Sequence, residues 1–357
     1  MQLLLSTRKG LIQLVPEGTS WRTLRLSFPG VAVSYATRDP RDGRIWACLD
    51  HGHWGQKLHY SADDGASWQE VAAPKYPEGA EVKPGVPAVL RYLWVFEPGP
   101  ADQPGRLYLG TEPGGLFRSD DGGASWNLVT GLWDQPTRTT HWMGGGRDHP
   151  GIHSIVIDPR NSRHVRIGIS CAGVFETLDD GVSWRPTNRG LKASFLPDPS
   201  VEVGHDPHLL VACTGAPDVL WQQNHCGIFR STDGGAQWTD VGEAGGPAHF
   251  GFAIAADPAN PATAWVVPAH SDEQRLAPSG ALCVCRTDDG GASWQAFRTG
   301  LPQRDCYDIV LRHALDYRED RLVIGSTTGN VYVSADRGVS WSCLGNHFPP
   351  VYAARFA

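Results

Sequence analysis

Short apolar stretches recur along the chain in pairs: RLYLGT before GGLFRS, VRIGIS before AGVFET, LLVACT before CGIFRS, and RLVIGS before GNVYVS. Each is too short for a stable helix and is bounded by turn residues, so each reads as a β-strand. A further strand precedes each pair and ends at an Asp-Pro or similar turn, as in Ala36 to Pro40, Val156 to Pro159 and Ile254 to Pro258. After each pair comes a polar octapeptide: SADDGASW at 61, SDDGGASW at 119, TLDDGVSW at 177, STDGGAQW at 231, TDDGGASW at 287 and SADRGVSW at 334. All six fit S/T-x-D-x-G-x-S/T-W, with Gln237 the one departure, and a weaker copy ends in Gly18, Ser20 and Trp21.

The Trp residues that close these seven units, from Trp21 to Trp341, are 47 to 58 residues apart. That is the length of a four-stranded antiparallel blade with variable loops. The pattern predicts an all-β, seven-bladed β-propeller occupying residues 1–357 as one domain. The chain opens on what should be a second strand, QLLLSTRKG, and VYAARFA at 351–357 reads as an extra inner strand. Pairing the two would close the ring and cover its open edges. Within each octapeptide, Asp and Ser can accept backbone N–H groups, Gly supplies a positive φ, and Trp packs the corner. Asp63, Asp121, Asp179, Asp233, Asp289 and Asp336 are therefore read as structural.

Composition adds exclusions. A net charge of −7 without a basic run leaves no footprint for nucleic acid or an anionic membrane. The opening MQLLLSTRKG lacks a basic segment ahead of its few apolar residues and reads as a strand, not a signal peptide. Eight scattered Cys without a CxxC fit reduced thiols, so a cytoplasmic location is expected, with a monomer as the default because a closed ring needs no partner. Cys283 and Cys285 alternate on one strand face, where packing is the simpler role.

The octapeptides resemble the Asp-box, or BNR, repeats of bacterial sialidases, xyloglucanases, the sortilin ectodomain and a photosystem II assembly factor. The resemblance covers nearly the whole chain and implies the propeller fold, with the corners lying away from the functional face. It implies little about activity, because one scaffold carries hydrolases, receptors and assembly factors. The sialidase Phe-Arg-Ile-Pro motif is absent; the corresponding region reads STRKGLIQL.

Candidate chemistry gathers in the loops opposite the corners. The densest stretch, THWMGGGRDHPGIHS, carries His141, Arg147, Asp148, His149 and His153 around three consecutive Gly. LDHGHWGQK adds His51 and His53, read as sharing one side of a strand; other loops add His225, His249 and His270. Imidazoles from several blades suit a divalent metal such as Zn, Mn, Fe or Cu. Glu112, Asp148 and Asp272, with Arg147, are the candidate catalytic groups, acting as bases or ligand orienters. Trp54, Tyr92, Trp94, Trp133, Trp142 and Trp221 offer flat faces for a ring substrate or sugar. His59, His164, His205, His208 and His313 are assigned structural roles.

Three functions follow from these residues. The first is a metal-dependent enzyme, a hydrolase or oxygen-using, acting on a small aromatic or anionic substrate. The second is a glycoside hydrolase using two of Glu112, Asp148, Asp272 and Asp305. The third is a non-catalytic interaction scaffold.

Overall fold

The structure is a computed structural model that describes residues 1–18 and 20–357. Seven sheets of four antiparallel strands dominate it, the seven-bladed β-propeller arrangement that the repeats predict. Among the described residues no helical segment exceeds four residues. The chain divides into two compact units, Met1–Val33 with His208–Ala357, and Ser34–Pro207.

In the first unit the opening sheet runs Ser20–Ser27, Gly10–Glu17, Leu3–Thr7 and Val351–Phe356. The fourth strand comes from the far end of the sequence, with Leu3 opposite Phe356 and Leu5 opposite Ala354, so the predicted closing pair forms. The same unit holds the sheets that begin at Pro207–Ala212, Gly251–Ala256 and Leu315–Arg318, apart from Pro207 itself. Its core includes Leu3, Leu5, Trp265, Val284, Leu322, Ile324 and Phe356. Cys283 and Cys285 are buried with their Sγ atoms 4.0 Å apart, and no disulfide forms among the described residues. The second unit holds the sheets that begin at Ala32–Arg38, Tyr92–Pro98 and Ile152–Ile157, apart from the first two residues of the first of these strands.

The octapeptide corners are built alike. At the first, the Ser61 hydroxyl donates to Asp63 (2.8 Å) and accepts the Gly65 N–H (2.7 Å). Asp63 in turn accepts the Ser67 N–H (2.8 Å) and its hydroxyl (2.6 Å). At the fourth corner, Gln237 still donates its N–H to Asp233 (3.0 Å), but its side-chain amide turns to the Trp238 carbonyl. The one departure from the motif thus forfeits one hydrogen bond. Two consecutive residues carry positive φ at every corner, for example Asp64 (56°) with Gly65 (82°) and Arg337 (59°) with Gly338 (87°). Paired positive φ values are those of the tight hairpin turns whose twist matches the flanking strands, and the second value favours Gly.

These bonds set a pH dependence. The Ser hydroxyl and N–H at the seventh position, then the first-position hydroxyl, hold Asp63, Asp121, Asp179 and Asp289 down at about 2 from an ordinary 3.8. A carboxyl more acidic folded than unfolded stabilises the fold above its unfolded value, and that contribution disappears as pH falls through the folded value. Calorimetry is therefore expected to show Tm dropping between about pH 4 and pH 2. Asp121→Asn should lower Tm at neutral pH and flatten that acid slope; an unchanged slope would argue against the corner as its source.

Candidate functional site

In the second unit, strands Tyr92–Pro98 and Leu107–Glu112 pair antiparallel with Tyr92 opposite Glu112. The register places an aromatic ring and a carboxylate side by side where both strands reach the loops. Segment 147–149 closes over them: Arg147 forms an ion pair with Glu112, and the His149 N–H donates to the same carboxylate at 3.3 Å. Glu112 is 2% exposed, so this pairing satisfies a charge that would otherwise be costly to bury. The Arg147 guanidinium also lies 4.2 Å from the Tyr92 ring centre and 5.6 Å from that of Trp94. Asp148, held between Arg147 and His149, points outward with its side chain 80% exposed and 3.8 Å from Arg91. Glu112, Arg147 and Asp148 thus come together as one cluster; Asp272 lies elsewhere.

A groove of about 540 Å³ adjoins this cluster, lined by Trp54, Lys57, Glu70, Tyr76, Val89 and Leu90 among others. The Tyr76 hydroxyl bonds Thr111 Oγ1 (2.7 Å) and the Pro113 carbonyl (2.6 Å), the residues on either side of Glu112. The Arg91 N–H, next to Leu90, donates to the Glu112 carbonyl (2.8 Å). One wall of the groove is therefore tied to the backbone that carries Glu112. On the other side Trp54 is 67% exposed, with His53 edge-on to it at 4.7 Å. Lys57 pairs with Glu70 at 2.7 Å along the floor.

Several sequence expectations change here. His51 and His53 do not share a strand: the strand ends at Asp50, and Gly52–Trp54 forms a single 3-10 turn. The turn lifts Trp54 into solvent. Trp94, Trp133, Trp142 and Trp221 are buried and pack loops or blades, so Trp54 and the half-buried Tyr92 remain as accessible faces. His153 is fully buried, bonded through Nδ1 to Ser154 Oγ (2.8 Å) and edge-on to Trp94. His141 is exposed and bonds Thr140, while His249 and His270 are exposed on separate loops. His164, between Asp158 and Glu176, is a partner in an ion-pair network, and His205 bonds the carbonyls of Lys192 and Val201.

In the first unit the His208 and His225 rings meet edge-on with 5.9 Å between their centres. Of the eight metal candidates, His225 is the one in this pair. Asp272 lies 3.7 Å from His225 Nε2, and the His208 ring stacks on Phe252 at 4.6 Å. His208, assigned a structural role from the sequence, has its Nδ1 2.6 Å from the Gly251 carbonyl.

No family model matches the chain. It is similar to a xyloglucanase of Paenibacillus sp, 27% identical over 268 residues, which is 65% of this chain and 23% of that protein. The chain thus spans about a quarter of that relative's length. Among solved structures, an ancestral GH74 enzyme superposes with a TM-score of 0.58 at 18% identity, covering 84% of this chain and 36% of the other. YCF48 from Cyanidioschyzon merolae gives a TM-score of 0.58 at 14% identity, over 93% of this chain and 89% of that one. At these identities the structural matches show the fold alone.

Proposed function

We propose that this propeller acts on a plant-type β-glucan chain of the xyloglucan kind, as a glycoside hydrolase. The similarity to a xyloglucanase over 65% of the chain carries this reading. The second unit supplies surfaces suited to it. Trp54 offers an open ring face on which a sugar can stack, and Lys57 and Glu70 offer polar partners for hydroxyls. Glycoside hydrolysis uses two carboxyl groups about 5 to 10 Å apart, flanking the scissile bond. Asp148 is the exposed carboxylate beside the groove, and Glu112 is its neighbour across Arg147. The metal-dependent, small-substrate reading draws no support from the relatives.

A second reading is binding without cleavage. It is favoured by Glu112, whose two carboxylate oxygens are engaged by Arg147 and by the His149 N–H.

Calorimetric titration with xyloglucan oligosaccharides, alongside release of reducing ends from the polymer, tests both. Binding is expected, and Trp54→Ala should weaken it by about tenfold, or roughly 1.4 kcal/mol. In the hydrolase reading, Asp148→Asn abolishes reducing-end release and keeps binding. Binding with no release by the unaltered protein would favour the second reading, and absence of both would sink the proposal.

A further inference from the structure

We propose a binding site for an amino sugar, a hexosamine with its amine free and protonated, in a groove of the first unit lined by Asp305, Tyr307, Asp308, Asn330 and Asn346 among others. The groove, of about 470 Å³, lies within the range of about 300 to 1,000 Å³ usual for small-molecule sites. It forms where segment 300–308 meets loop 326–330, which joins strands Arg321–Gly325 and Val331–Ser334. The second of those strands runs from this loop to the octapeptide that starts at Ser334, so the loop lies at the opposite end of its blade from the corner. Among the described residues lining the groove there are two carboxyl groups and no Lys, Arg or His.

The inner carboxyl group calls for a cation. Asp308 is 2% exposed, and its Oδ1 accepts the Thr328 hydroxyl and the Asn330 side-chain N–H (2.8 Å). Behind them the Asn330 backbone N–H donates to Ser326 Oγ (3.0 Å), which lies 2.8 Å from Thr328 Oγ1. Thr328 commits its proton to Asp308, so Ser326 donates to Thr328 and the carboxyl group is fixed by a continuous chain of hydrogen bonds. Among the described residues Oδ2 meets only the Cys306 thiol, a weak donor at 3.5 Å whose pKa burial pushes up to about 11. All these donors are neutral, and a buried carboxylate held by neutral donors gains from an ammonium that brings both charge and hydrogen bonds. The rest of the lining fits a sugar. Tyr307, 64% exposed, offers a ring face for stacking and, with Tyr332, π-faces that attract a cation. Asp305 and Asn346 are exposed and supply acceptors and a donor for ring hydroxyls. A neutral glucan would leave Asp308 uncompensated, so the ligand differs from that of the groove beside Trp54, where Lys57 already answers Glu70.

The test is calorimetric titration of the full chain with a β-1,4-linked glucosamine tetrasaccharide and with its fully N-acetylated form, at a pH where the free amines are charged. The glucosamine form is expected to bind, and the acetylated form to bind at least about tenfold more weakly, because acetylation removes the charge. Asp308→Asn, which keeps the shape of the side chain, should weaken binding of the glucosamine form at least about tenfold. Tyr307→Ala, at an exposed position that the fold tolerates, should weaken it as well. Cys343 lines the same groove with an exposed thiol, so bound oligosaccharide should slow its alkylation by iodoacetamide, read by peptide mass spectrometry. No binding by the unaltered protein would overturn the proposal, as would equal affinity for the acetylated form, binding that neither substitution weakens, or alkylation of Cys343 that saturating oligosaccharide does not slow.

Discussion

Removing residues 351–357 is expected to leave a chain that does not fold cooperatively and that associates through an open sheet edge. Strand Val351–Phe356 supplies the last partner of Leu3–Thr7 and buries Val351, Ala353, Ala354 and Phe356. Its loss would strip cover from Leu3 and Leu5 and leave a row of N–H and C=O groups unpaired. Two polar contacts go with it: Asp316 accepts the Phe356 N–H (2.8 Å) and pairs with Arg355 (3.2 Å). The Asp316 side chain is 18% exposed, and without these partners its carboxyl would lose both its ion pair and its backbone donor. The milder Phe356→Ala removes a ring packed near Trp21 and should cost about 3 kcal/mol while preserving the fold. Size-exclusion chromatography and urea denaturation distinguish the cases. A truncated protein that is monomeric and melts with the unaltered one would show that the closing strand is dispensable.

Trp46→Ala should destabilise the protein by about 3 to 5 kcal/mol. The ring is buried, stacks on Phe96 at 4.8 Å and 20°, and meets Tyr60 at 5.3 Å. It also touches a corner of a different blade. At Gly123, with φ at +90°, a Cβ would fall 2.6 Å from Trp46 Cη2. Gly123→Ala alone therefore combines a backbone penalty of about 1 to 2 kcal/mol with a clash against an aromatic ring. The clash needs Trp46, so the double variant should be more stable than the sum of the two losses predicts. Urea denaturation of the four proteins measures this coupling. Strict additivity would mean that the corner and the ring do not meet.

The features legible in the sequence are those that repeat. Ser61, Asp63 and Gly65 recur with the same offsets at six corners because each offset is a specific hydrogen bond or turn angle, so spacing alone reveals the hairpins. VYAARFA was legible as the missing strand because the first unit lacked one. The site was legible only where neighbouring residues act together, as Arg147, Asp148 and His149 do around Glu112. What escaped depends on how single loops bend. One 3-10 turn takes His53 off a strand and exposes Trp54, while Trp142, which also follows a His in a glycine-containing loop, turns inward. The approach of His225 to His208 joins positions 17 residues apart through a hairpin whose loop no periodicity fixes.

The closing strand also bears on the order in which the molecule assembles. Each corner binds residues within a few positions of itself, so hairpins can form as soon as they are synthesised. The pairing of Leu3 with Phe356 must instead wait for the most distant partner in the sequence. Loop-closure entropy rises only slowly with such a separation, but the contact comes late because every intervening hairpin has first to be in place. Until residue 351 has been made, the sheet that starts the chain remains three strands wide, with its apolar edge exposed to whatever else the nascent chain encounters.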